Sequence, residues 1–320
     1  MTSVDVARRA GVSQSTVSLV LSGKGAGRIS AKTEAAVRQA AEALGYRPNA
    51  AARTLRTGTA RTVGLVVTDV THPFFGPVLR GAQAAAWRAD YAVALVDVAN
   101  DPDRELASFE ALRAGPADGF MFFTIDPPEG SGEHMVAIEV EPPGMAYVRV
   151  DSERGTELAV RHLLDLGHTR IAHLGSWLEA ETFRRRRTAI AALLGDAVPY
   201  EKAPFDYDEA CRAALRLLDA DPTPTAVFCD DDILAGGVYL AARERGLRIP
   251  DDVSIVGFDD LPFARVFDPP LTTIRLDPAA LGAGAFEVLM ALMEGGAAEG
   301  RVLPVELVVR GSTGPPPLGA

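Results

Sequence analysis

Two acidic clusters offer the densest chemistry in this chain: Asp230-Asp231-Asp232, and Asp259-Asp260 behind Gly257-Phe258. Each closes a short apolar run that reads as a buried strand, residues 226–229 and 253–258. Ionised carboxylates only accept hydrogen bonds, which suits vicinal hydroxyls or an amine on a small ligand. The rival is a metal ion, but oxygen-ligand metals need more donors in one compact loop than this spacing supplies. A helix N-terminus is another use for Asp230 or Asp232. Further candidates follow other apolar runs. Asp69, His72, Phe74 and Phe75 come after 63–67, and Trp177 after 171–174, with Arg184-Arg185-Arg186-Arg187 close behind. Aromatic faces stack on sugars and other rings, or simply pack helices. All of this is binding chemistry. The chain has no Gly-x-Ser-x-Gly elbow, His-Glu-x-x-His helix or Walker loop, and His168 and His173 sit beside a helix end and in a strand, where capping or packing explains them. Neither catalysis nor a cofactor or metal is expected.

The elements that must hold these groups repeat along the chain. From residue 62 onward, apolar runs at 63–67, 93–98, 120–123, 146–150, 171–174, 226–229 and 253–258 alternate with helix-length segments. Such alternation predicts a parallel α/β body in two halves, with ligands at the carboxyl ends of strands in the cleft between them. At 320 residues the chain can bury a sizeable core. Cys211 and Cys229 have no metal-ligand spacing and read as packed thiols of a reducing compartment. The N-terminus lacks a signal-peptide core and no run of about 18 apolar residues follows, so a cytoplasmic location is expected.

The opening sixty residues differ in kind. Thr2 can cap a helix through Ala10, with Asp5 as its acidic partner and Gly11 as its terminator. Ser13 caps a second helix, in which Val17, Val20 and Leu21 make a buried stripe. Ser15, Ser18, Leu19 and Ser22 fall on the opposite face, beside Gln14. Gln pairs with adenine, Ser with bases or phosphates and Leu with a thymine methyl, so this face suits a major groove. Ser30 and Gly45 bracket a third helix, and three such helices can close one small core. A bundle that contacts protein is the bland alternative. The Gly23-Lys24-Gly25-Ala26-Gly27 run has neither the strand nor the spacing of a phosphate loop and reads as a flexible connection. Charge divides the chain at the same place: residues 1–61 carry ten Lys/Arg against three acids, about +7, which leaves about −18 of the total −11 for the rest. A basic head attracts polyanions that an acidic body repels, although a solvated charged face would look the same.

Taken together these motifs resemble the LacI/GalR family of transcriptional regulators, over essentially the whole chain. The head matches through Thr2, Asp5-Val6-Ala7, Ala10-Gly11-Val12-Ser13 and Thr16-Val17-Ser18. It departs at Leu19, where the family often has a base-reading arginine, so this head is expected to read an operator of its own. The 24–28 loop is longer than usual, and the chain begins almost on the cap, as if the true start lay upstream of Met1 or an arm were absent. Pro48 to Leu55 is pre-set for helix entry yet, at eight residues, too short to be a stable isolated helix. The resemblance implies that it folds in a minor groove, paired with its copy in a dimer. DNA contacts would then come from Thr2, Ser13, Gln14, Ser15, Thr16, Ser18 and Leu19 in the head and Asn49, Ala52, Arg53 and Leu55 in the hinge, with Leu55 as an apolar wedge.

For the body the resemblance implies a fold like that of periplasmic sugar-binding proteins. The expected class is an all-α helix-turn-helix head plus a two-lobed α/β body with parallel sheets. Boundaries are placed at 1–46 for the head, 47–61 for hinge and linker, and 62–313 for the body, with a disordered tail at 314–320. Lobe one would take 62–147 and 277–296, and lobe two 149–275 and 301–313. The implied effector contacts are Asp69, Phe74, Phe75, Trp177, Asp231 and Asp259, with Arg185 or Arg186 as a clamp. Asp259 matches the family's principal ligand-binding aspartate, and Asp231 stands where an asparagine is usual. The family also implies a homodimer on a pseudo-palindromic operator, repression relieved by a ligand that closes the lobes, and a carbohydrate effector, with a nucleoside or an amine left open. A pure solute receptor is the rival for the body alone, and the basic head argues against it.

Overall fold

The computed structural model describes residues 1–21, 27–46, 58–115, 117–125, 127, 134–297 and 299–317. Asn49, Ala52, Arg53 and Leu55 of the hinge, and Ser22, lie outside them. The chain divides into two compact units, Met1–Ala60 and Arg61–Ala320.

The first unit holds α1 (Ser3–Ala10), α2 (Gln14–Leu21) and α3 (Ala31–Ala43). A capping box opens α1: Thr2 Oγ1 accepts from the Asp5 amide at 3.4 Å, and Asp5 returns the contact to the Thr2 amide at 2.8 Å. Gly11 ends the helix at φ 67°, a left-handed turn that a side chain would strain. Ser13 accepts from the Thr16 amide at 3.1 Å, and Ser30 caps α3 by accepting from Thr33 at 3.2 Å. Val6, Val17, Val20 and Val37 meet Ala7, Ala40 and Ala41 in one small core, with Leu21 only partly buried against it.

The second unit contains two sheets. The first has the order β11-β5-β4-β3-β1-β2, built from β1 (Thr62–Val67), β2 (Ala92–Asp97), β3 (Gly119–Phe123), β4 (Met135–Ile138), β5 (Ala146–Val150) and β11 (Arg301–Leu303), with every pairing parallel. The second has the order β12-β10-β9-β8-β6-β7, from β6 (Ile171–Ser176), β7 (Tyr200–Ala203), β8 (Ala226–Cys229), β9 (Ser254–Asp259), β10 (Thr272–Arg275) and β12 (Glu306–Val308). Only β12 runs antiparallel to its neighbour. The crossovers are α4 (Phe75–Arg88), α5 (Pro102–Ala114), α6 (Ser152–Asp165), α7 (Glu181–Leu194), α8 (Tyr207–Leu218), α9 (Asp232–Arg245) and α10 (Pro278–Met293). Helices α4 and α10 approach backbone to backbone, so a Cβ on Gly81 would fall 1.9 Å from the Ala279 carbonyl oxygen.

Three boundaries differ from those read in the sequence. Residues 301–303 were assigned to the second lobe, but they pair with β5 and extend the first sheet, where the Asp151 amide donates to Leu303 O at 2.9 Å. The first sheet also keeps β5 through Val150, beyond the expected limit at 147. The tail is not disordered from 314. Ser254 Oγ accepts from the Gly314 amide at 3.0 Å, and the Gly314 carbonyl takes a bond from buried His168 at 2.9 Å. A backbone with buried partners is held in place.

Candidate functional site

The carboxyl ends of both sheets face one cavity of about 100 Å³. The first sheet contributes Asp69, His72, Phe74 and Phe75 after β1, Asn100 after β2, Thr124 after β3 and Glu139 after β4. The second contributes Thr182, Phe183 and Arg186 from α7, Phe205 after β7, Asp231 after β8 and Asp259 at the end of β9.

Asp231 joins the halves. Its carboxylate caps α9 by accepting from the Ile233 amide, and its Oδ2 lies 3.1 Å from His72 Nε2. The Phe74 amide donates to His72 Nδ1 at 3.3 Å, so Nε2 carries the ring hydrogen and donates to Asp231. Asp259 faces Asp231, with carboxylate oxygens within 4.8 Å of one another. Burial, and then the Asp231 charge, push the Asp259 carboxyl well above the usual range. Burial opposes ionisation of Asp231 as well, but the His72 ring and the hydrogen bonds it accepts outweigh that and hold it below the usual range. Asp231 thus accepts from His72 while facing the Asp259 carboxyl, which its surroundings dispose to hold a proton. These three groups place one ligand atom each within 4.8 Å of one another, as a metal site would. A metal-bound imidazole, however, donates hydrogen from its other nitrogen. Here that nitrogen receives an amide hydrogen, so the trio fits hydrogen bonding rather than a metal cage.

The neighbouring acids do structural work. Asp230 pairs with His173 at 2.9 Å and accepts from the Ser176 amide at 3.0 Å. Asp232 accepts from Thr273 at 2.6 Å and from the Leu261 amide at 2.7 Å. Of Asp230 and Asp232, either of which could stand at a helix N-terminus, Asp232 is in the first turn of α9, and Asp231 between them is its cap. Asp260 is gripped by Arg275 at 2.7 Å and Arg310 at 2.5 Å. That grip helps hold Asp259 at φ 106°, a backbone conformation a non-glycine residue adopts only under constraint.

Among the arginines, Arg186 reaches the cavity. It is buried, its guanidinium lies 3.5 Å over the Phe258 ring, and it donates to the Asp230 carbonyl. Its Nε has no partner, and neither do Asn100 Oδ1 and Thr124 Oγ1 on the same walls. Each unmet buried polar atom costs about 1–3 kcal/mol. Arg185 was the equal candidate and is not part of the lining. It pairs with Glu153 at 2.7 Å, Glu141 at 3.0 Å and also Glu181, because one step along α7 turns it about 100° away from Arg186. Trp177 also misses the cavity: it follows the end of β6 and is 50% exposed. Asp69, Phe74, Phe75, Asp231 and Asp259 do line it. Asn100, Thr124, Glu139, Phe123, Phe183 and Phe205 join them without having been singled out in the sequence.

In the head, Ser13, Gln14, Ser15 and Ser18 are exposed, while Thr16 and Leu19 are half-buried. Thr2, Ser13 and Thr16 bond within caps, and Gln14 Nε2 donates to Ser3 Oγ at 2.8 Å. Ser15 and Ser18 lie along the outer face of α2.

Known proteins resemble both units. Residues 3–49 match the model for bacterial regulatory proteins of the lacI family, and 160–313 match the periplasmic binding protein-like domain. An HTH-type transcriptional repressor PurR from Mannheimia succiniciproducens is 32% identical over 326 residues, spanning 96% of this chain and 97% of that protein. The solved lac repressor dimer bound to operator and the anti-inducer ONPF superposes with a TM-score of 0.86 at 27% identity, over 98% of this chain and 99% of the repressor chain. A complex of the transcriptional regulator CelR with cellobiose gives 0.73 at 26% identity, over 98% and 99%. With its three-helix head, its two-lobed body and this similarity along nearly its full length, the chain belongs to the lacI family of bacterial regulatory proteins and is a DNA-binding transcriptional repressor, not an enzyme.

Proposed function

We propose that the chain binds a pseudo-palindromic operator as a homodimer, and that a small polyhydroxylated effector, a carbohydrate, relieves repression from the cavity between the two sheets. The single observation that carries this reading is the set of three unpaired buried polar atoms, on Asn100, Thr124 and Arg186, around one phenylalanine-rich cavity. Hydroxyls both donate and accept, and sugar rings have apolar faces that suit Phe74 and Phe75. The complex of CelR with cellobiose supports a sugar in a body of this shape. A flat heteroaromatic ring such as a nucleobase is the second reading, favoured by the five phenylalanines on the walls.

The His72–Asp231 bridge spans this cavity from one sheet to the other, where an effector would sit. The effector acts by replacing that bridge with its own contacts to both sheets. The change in lobe geometry then alters the dimer and the order of the hinge around Asn49, Ala52, Arg53 and Leu55. Ser15, Ser18, Gln14 and Leu19 read bases from α2, and Thr2, Ser13 and Thr16 set its approach. Val266, 78% exposed beside Phe267 and Tyr239, offers the second lobe an apolar face for its copy. Among the described residues no helix is long and apolar enough to cross a membrane, and we place the protein in the cytoplasm with its DNA. A thermal-shift screen against sugars and nucleosides, repeated with Asp259→Ala, tests the effector site. Stabilisation by a sugar that the variant loses is expected, and a shift that survives the substitution would place the ligand elsewhere. A sedimentation mass of four chains would overturn the dimer.

A further inference from the structure

The carboxyl groups of the cavity outnumber its cations. Asp69, Glu139, Asp231 and Asp259 line it against the single guanidinium of Arg186, with His72 between. Two of them, the buried Asp231 and the half-buried Asp259, face one another with carboxylate oxygens within 4.8 Å, reaching in from the ends of neighbouring strands β8 and β9. Their surroundings do not neutralise them fully. Arg186 spends a donor on the Asp230 carbonyl, Asp232 adds another buried carboxyl close by, and Asp69 accepts from Thr71 at 2.9 Å. A neutral sugar hydroxyl can meet one carboxylate, but it brings no charge to a facing pair. A protonated amine brings a positive charge and two or three hydrogens that both carboxylates can accept. Phe74, Phe75 and Phe205 add ring faces and edges around the same pocket, and ring faces attract cations.

Resting on the reading of this cavity as the effector site, we propose that the effector is a basic sugar, an amino or imino sugar, whose protonated nitrogen sits between Asp231 and Asp259 while its hydroxyls reach Arg186 Nε and Asn100 Oδ1. The exchange balances simply: the ligand arrives as R–NH3⁺ (amino sugar) or R2NH2⁺ (imino sugar), Asp259 releases its proton to solvent, and both carboxylates then accept from the ammonium group. Asp231 is the specificity-determining residue, because an amide there would leave only one charge for the nitrogen.

The test uses the full chain and matched probes: glucosamine, galactosamine and 1-deoxynojirimycin against glucose, galactose and 1,5-anhydroglucitol, by thermal shift and calorimetry. At least one basic probe should bind roughly tenfold or more tighter than its neutral parent, as a charge-assisted hydrogen bond requires. Calorimetry in two buffers of different ionisation enthalpy should show about one proton released per ligand bound. Asp231→Asn, which retains a good helix cap, should remove the preference, and Asp259→Asn should remove both preference and proton release. Neutral sugars or nucleosides that bind as tightly as the amines, and still need Asp259, would overturn the inference and leave the effector site standing. Failure of every probe in both series, with none of them releasing operator DNA, would overturn both.

Discussion

Two histidine–aspartate pairs in this body are nearly alike in isolation. His173–Asp230 is 2.9 Å long and His72–Asp231 is 3.1 Å long, all four residues are buried, and the two aspartates are adjacent in sequence. They differ in what they join. His173 and Asp230 both belong to the second sheet, with Tyr200 packed on the imidazole and the Ser176 amide completing the carboxylate. His72 comes from the first sheet and Asp231 from the second, and their contact borders a cavity with unpaired polar atoms. Burial and distance therefore do not mark a functional pair. Position across the boundary between the two sheets is what sets His72–Asp231 apart.

The largest expected effect would break the first pair. Asp230→Ala leaves His173 and the Ser176 amide buried without their acceptor and should cost about 3–5 kcal/mol in urea denaturation, the same with or without effector. Effector binding lost with stability intact would mean that the two pairs have exchanged roles. The next effect separates neighbouring arginines. Arg186→Lys gives up the fork over Phe258 and should weaken effector binding roughly tenfold or more, while Arg185→Lys, in a partly exposed ion cluster, should change stability by about 1 kcal/mol or less and binding not at all. Calorimetry on both variants checks this.

The smallest effect is in the pH profile, where Asp230 and Asp259, the carboxyl that faces Asp231, act with opposite sign. The Asp230 carboxyl is lowered, because His173, Arg186 and the Ser176 amide outweigh its burial. The unfolded chain then binds the proton first, so this contribution is present above the ordinary carboxylate range and is lost as pH falls through the lowered value. Asp259 is raised by burial and by Asp231, so the folded chain holds its proton longer. That contribution is present in acid and is lost as pH rises from the ordinary range through the raised value. Stability measured against pH should fall less steeply toward acid in Asp230→Asn, and decline less toward neutrality in Asp259→Asn, than in the parent chain. Two parallel curves would contradict the opposed signs.

The fold was readable where burial leaves an apolar run. β1, β3, β6, β8 and β9 all stand out in this way, whereas β7 reads Tyr-Glu-Lys-Ala on a sheet edge, and β11 and β12 are three residues each, too short for a period to register. The site was readable in part for a related reason. Asp69, Asp231 and Asp259 lie at or just beyond strand ends, and the same rule applied to β2 and β3 points to Asn100 and Thr124, whose uncharged side chains drew no notice. Phe205 carries no local signal, since only the meeting of the two halves makes it a neighbour of His72, whereas Phe183 lies one turn before Arg186 on α7 and could have been read from that spacing. Trp177 failed the same rule because the chain leaves β6 toward β7, where its amide bonds Ala203.

Asp231 does two jobs with one carboxylate, capping α9 and facing the cavity, and this shapes how the protein can evolve. Asparagine caps a helix about as well as aspartate. Codons for the two differ by a single base, so one mutation can exchange the charge presented to a ligand while the helix keeps its start. Lineages can cross between ligand preferences at this position without passing through an unstable ancestor, which makes it a natural place for paralogues of one repressor to part ways.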